Sequence, residues 1–139
     1  MKQIRVLVVD DSSLARELIT TILSSDSEIK VVGEAVNGLD AVQKVAALKP
    51  DIVTMDVEMP VMNGLEAIEE IMAFHAIPIL VVTTMGDART AYAAISKGAL
   101  DLVAKPDINI ETAKEFISKI KMISSICGFP YHIIHFFFR

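Results

Sequence analysis

At 139 residues the chain has the length of one domain, enough to bury a core without covalent or metal staples. Hydrophobic residues make up 53 % of it, and a net charge of −5 argues against a nucleic-acid surface, which is normally basic. Cys127 is alone, which excludes an intrachain disulfide or a multi-cysteine metal site and fits a cytoplasmic setting. The chain enters a strand-like run almost at once, without a signal-peptide pattern. No apolar run reaches the ~20 residues of a spanning helix, so no membrane association is expected.

Residues 4–9 read as a buried strand that ends in Asp10-Asp11. Ser12-Ser13 offer an N-cap for a helix over 14–24, whose Leu14, Leu18 and Ile22 recur every four residues. Residues 29–36 are a second strand at an edge, since Lys30 and Glu34 interrupt its apolar residues. Asn37 caps a helix with Leu39, Val42, Val45 and Ala46 as its buried stripe, and Lys49-Pro50-Asp51 breaks it.

The third strand starts at Ile52 and ends at Asp56, where Pro60 and Asn63-Gly64 signal a turn. A helix over 64–74 turns Leu65, Ile68, Ile71 and Met72 inward and Glu66, Glu69 and Glu70 outward. A fourth strand over 78–82 ends in Thr83-Thr84. The helix over 88–97 carries few bulky apolar residues and stops at Gly98. A fifth strand over 99–104 ends in Lys105-Pro106. Asn109 caps a last helix with Ala113, Phe116, Ile117 and Ile120 on one face.

Five strands alternating with five helices predict an α/β fold, a doubly wound parallel sheet of flavodoxin-like type. Right-handed crossovers and the common order 2-1-3-4-5 complete the expectation.

The polar groups of these strands gather at their carboxyl ends, where open α/β sheets bind ligands. In that order the first and third strands are neighbours about 4.8 Å apart. Asp10, Asp11 and Asp56 then crowd one pocket, and such charges either protonate or share a cation. A hard divalent ion such as Mg2+ takes carboxylates, a backbone carbonyl and waters, and leaves room for a phosphoryl oxygen. Lys105 is expected to add positive charge on the far side. The set suits phosphoryl transfer with Asp56 as nucleophile, and with Lys105 and the Thr83 hydroxyl binding the remaining oxygens.

Val8-Val9-Asp10-Asp11-Ser12, Asp56 with Met59-Pro60-Val61-Met62-Asn63-Gly64, Thr83 and Lys105-Pro106 together resemble the response-regulator receiver domain of two-component signalling. The resemblance covers residues 1 to about 125. It implies that Asp56 accepts phosphate from a phosphohistidine on a sensor histidine kinase. It implies that Asp10 and Asp11 hold Mg2+, with Asp11, Asp56 and the Glu58 backbone carbonyl as direct ligands. It also implies a cis peptide between Lys105 and Pro106.

A finer resemblance, carried by residues 81–85, 97–106 and Glu58, is to the receiver of the chemotaxis protein-glutamate methylesterase. That family has a C-terminal esterase domain with a Ser-His-Asp triad, which this stretch does not contain. The implied chain is therefore the regulatory part alone, catalysing only its own phosphorylation and dephosphorylation. The alternatives are a stand-alone receiver or the receiver of a DNA-binding transcriptional regulator. A dehalogenase-type phosphatase fails, because its pattern needs Asp-x-Asp on the first strand. A flavodoxin-type binder fails too, because two carboxylates occupy the loop that should cradle phosphate.

Leu102 stands where many receivers carry an aromatic, so loop 84–88 and the helix over 88–97 are expected to move on phosphorylation instead. Thr84, bulkier than the Ala or Gly common there, is expected to slow access of water to the phosphoryl group. Met59, Met62 and Met85 read as flexible core filling, or as an adaptable docking surface. Residues 126–139 form an atypical tail holding five of eight aromatics. The tail reads as flank packing, a weak homodimer contact, a non-native end or the start of a linker, and His132 and His135 within it are discounted as a metal pair.

Overall fold

The computed structural model describes residues 2–84, 88–106 and 109–125. Five units follow in order: β1 Ile4–Val9, α1 Ser13–Ser24, β2 Ile29–Ala35, α2 Gly38–Leu48, β3 Ile52–Met55, α3 Gly64–Phe74, β4 Ile79–Thr83, α4 Ala88–Lys97, β5 Asp101–Ala104 and α5 Ile110–Ser125. All the pairings are parallel, in the order β2-β1-β3-β4-β5.

The central strands have apolar residues on both faces because helices cover both. Alternate residues feed two cores. Leu7, Val9, Val53, Met55, Ile79 and Val81 pack on one face with Ala41, Val45, Ile68, Ile71 and Ala94 of α2, α3 and α4. Val6, Val8, Ile52, Leu80 and Val82 pack on the other with Ile19, Leu23, Phe116 and Ile120 of α1 and α5.

The caps follow the sequence signals. Ser12 accepts from Ala15 N–H, Asn37 from Asp40 N–H, and Asn63 forms a capping box with Glu66.

Several expectations shift. In α2 the buried residues are Gly38, Ala41 and Val45, while Leu39 is exposed and Ala46 lies outward. The helix sits close to its neighbours, and there a small side chain packs where a bulky one cannot. β5 begins at Asp101, because Gly98 and Ala99 are used to end α4. Gly98 N–H donates to the Ile95 carbonyl and Ala99 N–H to the Ala94 carbonyl, at 3.1 and 3.0 Å. With Gly98 at φ 127 this is a Schellman closure.

The Lys105–Pro106 bond is not cis; the described residues contain no cis peptide, in line with the intrinsic trans preference of X-Pro bonds. Met85, most of loop 84–88 and the aromatic tail lie outside the described residues, as do Cys127, His132 and His135.

Candidate phosphoacceptor and metal site

The β1–β3 register sets Val9 beside Met55, so the next residues, Asp10 and Asp56, leave the sheet side by side. Asp10 is 1 % and Asp56 5 % exposed, whereas Asp11 is exposed. One carboxylate oxygen from each of Asp10, Asp11 and Asp56 falls within 4.8 Å of the others. An all-oxygen donor set of that size suits a hard divalent cation.

The two buried acids are set by backbone donors. Asp10 Oδ1 accepts from Ser12 N–H at 2.9 Å, where α1 begins. Asp56 Oδ1 accepts from Val57 N–H at 2.9 Å, and Asp56 N–H donates to the Val9 carbonyl at 3.0 Å. Gly64, at the start of α3, lies against the same turn; a Cβ there would stand 2.0 Å from the Asp56 carbonyl oxygen.

Lys105 corrects one expectation. Its ammonium is not on the far side but among the acids, 2.8 Å from Asp10 Oδ2 and 3.6 Å from Asp56 Oδ2. The ammonium is the group that meets the buried Asp10 Oδ2. Clustered carboxylates draw the nearest flexible cation toward them. Three carboxylates gathered within 4.8 Å of one another, with one ammonium among them, are the local chemistry that a divalent cation satisfies.

The ionisation of Asp56 reflects this crowding. Its pKa rises from 3.8 to about 6, chiefly by burial and then by the charges of Asp10 and Asp11. Lys105 and the Val57 N–H oppose the rise. Burial alone would lower the Lys105 pKa, but Asp10 and Asp56 hold it above its usual value.

Thr83 ends β4, 1 % exposed, and its carbonyl accepts from Lys105 N–H at 3.2 Å. Glu58 is exposed on the loop after Asp56, and Thr84 is exposed one residue past Thr83. Met59 and Met62 pack partly buried against the α2–α4 side of the core. Leu102 lies in the same cluster, paired with Val81 in the sheet.

Sequence reasoning missed Arg16. Its guanidinium donates to the Asp10 carbonyl at 2.8 Å and pairs with Glu34 of β2 at 3.1 Å. A cation so near a helix N-terminus opposes the helix dipole, and that misfit was the available signal that it serves a partner.

A family model for the response regulator receiver domain matches residues 6–118. The chain is 47 % identical over 125 residues to protein-glutamate methylesterase/protein-glutamine glutaminase 3 of Paramagnetospirillum magneticum, covering 89 % of this chain and 35 % of that protein. It is 48 % identical over 127 residues to the corresponding protein of Geobacillus kaustophilus, covering 86 % of this chain and 36 % of that one. The chain thus spans about a third of the length of these curated relatives.

Among solved structures, the response regulator domain of Thermotoga maritima CheB superposes with a TM-score of 0.81 and 40 % identity, covering 89 % of this chain and 98 % of that one. The CheX–CheY–BeF3–Mg2+ complex of Borrelia burgdorferi gives a TM-score of 0.76 at 27 % identity, covering 85 % and 90 %.

Proposed function

The chain belongs to the response regulator receiver family, and from that premise we propose that it takes a phosphoryl group onto Asp56 from a sensor histidine kinase. The observation that carries the proposal is the meeting of Asp10, Asp11 and Asp56 with the Lys105 ammonium. In this reading residues 1–125 are the receiver.

Asp56 is the nucleophile. Its Oδ1 is fixed by the Val57 N–H, and its Oδ2 faces Lys105. With a pKa of about 6 the carboxylate is mostly ionised at neutral pH. The reaction forms a bond from an Asp56 oxygen to phosphorus and breaks the donor's N–P bond, leaving a neutral or protonated histidine on the donor. Lys105 compensates charge on the phosphoryl oxygens, and the Thr83 hydroxyl donates to one of them.

Asp10, Asp11, Asp56 and the Glu58 backbone carbonyl would hold Mg2+. The Borrelia burgdorferi complex, which contains Mg2+ and BeF3, supports that choice of ion. Mg2+ bound there supplies charge neutralisation for the transferring group.

The methylesterase relatives support a finer reading, in which this receiver regulates a protein-glutamate methylesterase domain. α4 buries only Ala94 among its described side chains, which makes it the element most easily displaced when the site is modified.

Mass spectrometry after incubation with Mg2+ and a small phosphodonor tests the central step. One added phosphoryl group is expected on the parent and none on Asp56→Ala. A phosphoryl group persisting in the variant would remove Asp56 from this role.

A further inference from the structure

The loop joining β3 to α3 is closed by its own backbone, since Gly64 N–H donates to the Val57 carbonyl at 2.8 Å. Within it, Met62 N–H donates to the Pro60 carbonyl, two residues back, at 2.7 Å. Val61, between them, has φ 68. A three-residue turn with positive φ at its centre is the rare, strained kind of γ-turn. A β-branched residue is especially ill suited to that backbone. Local preference opposes the shape, so surrounding contacts must impose it.

One of those contacts comes from α2. Gly38 opens the helix, and its N–H is one of the four that a helix cannot satisfy internally. The Asn37 side chain takes the Asp40 N–H. The Gly38 N–H instead donates to the Met62 carbonyl at 2.8 Å. A Cβ on Gly38 would stand 2.4 Å from that carbonyl oxygen and 2.9 Å from the Asn63 carbonyl oxygen. Both are backbone atoms and cannot swing aside like a side chain, so the loop itself would have to move.

We infer that Gly38 is a positioning residue for the cation site, holding in shape the strained loop over 58–63 that carries the proposed Glu58 backbone ligand. The inference rests on the reading of Asp10, Asp11, Asp56 and Glu58 as cation ligands. It joins the first turn of α2, which supplies no ligand, to the affinity of the acids for Mg2+.

Titration calorimetry with Mg2+ on the parent, Gly38→Ala and Gly33→Ala tests it. Gly33 is the structural control. A Cβ there would meet Leu48 Cδ1 at 2.7 Å, in the packing of α2 on β2 and away from the loop. Gly38→Ala is expected to weaken Mg2+ binding by about fivefold or more. Gly33→Ala should stay within about twofold of the parent, whatever each loses in melting temperature.

Coupling is reciprocal, so the cation must also tighten the contact. In the parent, exchange of the Gly38 amide hydrogen is expected to slow on adding Mg2+. The Lys49 amide, bonded to the Val45 carbonyl at the far end of α2, should not change. This measurement decides the matter if Gly38→Ala does not fold. Parent-like Mg2+ affinity in Gly38→Ala, or Gly38 exchange indifferent to Mg2+, would overturn the inference alone. A parent that takes up no Mg2+ would overturn the ligand reading and this inference with it.

Discussion

Lys105 places its ammonium 2.8 Å from Asp10 Oδ2, reaching from the end of β5 over two strands to the end of β1. The cation that should meet an incoming phosphoryl group therefore sits, before any reaction, against an acid proposed to hold metal. The two roles compete. A like charge among the ligands lowers the affinity for a divalent ion.

Lys105→Met is accordingly expected to tighten Mg2+ binding by about three- to tenfold, or about 1 kcal/mol, the scale of charges a few ångströms apart with the screening of water. The same variant should accept phosphate from a small donor far more slowly. Mg2+ titration and the phosphorylation rate, measured on one sample, check both arms. Unchanged or weaker Mg2+ binding would mean that the ammonium does not repel the ion.

A second consequence concerns pH. The Asp56 pKa is raised from 3.8 to about 6, so between those values the folded chain keeps a proton that the unfolded chain has released. Stability of the metal-free protein should then fall as pH rises from about 4 to about 6 and level off above. The full cost is present at pH 7. The shift corresponds to at most about 3 kcal/mol, and Lys105 beside it already offsets part of the repulsion. Asp56→Asn is expected to raise stability at pH 7 by about 1–3 kcal/mol, several degrees in melting temperature for a domain of this size. It should also flatten the slope between pH 4 and 6. Mg2+ should stabilise the parent but have much less effect on Asp56→Asn.

Much of this site can be read in the sequence because the sheet is parallel and buried. Runs such as Ile4–Val9 and Ile52–Met55 are mostly apolar on both faces, with Arg5 and Thr54 the exceptions, so the first acid after each run marks the strand end. The strand order then brings Asp10, Asp11 and Asp56 together.

What escaped was set by contacts between elements. The buried face of α2 turned on Gly38 and Ala41 fitting a narrow space, whereas hydrophobicity favoured Leu39. β5 began late because Ala99 closes α4. The reach of Lys105 depends on side-chain extension across β4 and β3, which spacing along the chain does not encode. Arg16 donates to a backbone carbonyl, that of Asp10, and a carbonyl carries no side-chain label.

Val61 offers a test of stored strain. Its φ of 68 costs an L-residue about 1–2 kcal/mol, and its side chain is 77 % exposed, so little packing is lost on removing it. Glycine adopts this backbone freely but makes the unfolded chain more flexible, at a cost of about 0.5–1 kcal/mol. Val61→Gly should therefore leave a net gain of about 0.5–1 kcal/mol, seen as a small rise in the urea midpoint at unchanged slope. A clear loss of stability would show that the Val61 conformation is not strained.

Thr84 bears on how long the signal lasts. It follows Thr83, the proposed donor to the phosphoryl group, and it is exposed. If its methyl and hydroxyl shield the phosphoryl group from an attacking water, truncation should open that path. Thr84→Ala is then expected to lose phosphate a few-fold faster than the parent, a barrier change of about 1 kcal/mol. Mg2+ affinity and melting temperature should barely move, because neither the acids nor the core is touched. The measurement is the decay of acyl phosphate after the small phosphodonor is removed, followed for both proteins at one Mg2+ concentration. Equal decay rates would show that Thr84 does not shield the group, and phosphate lifetime would then have to be set by other residues around Asp56.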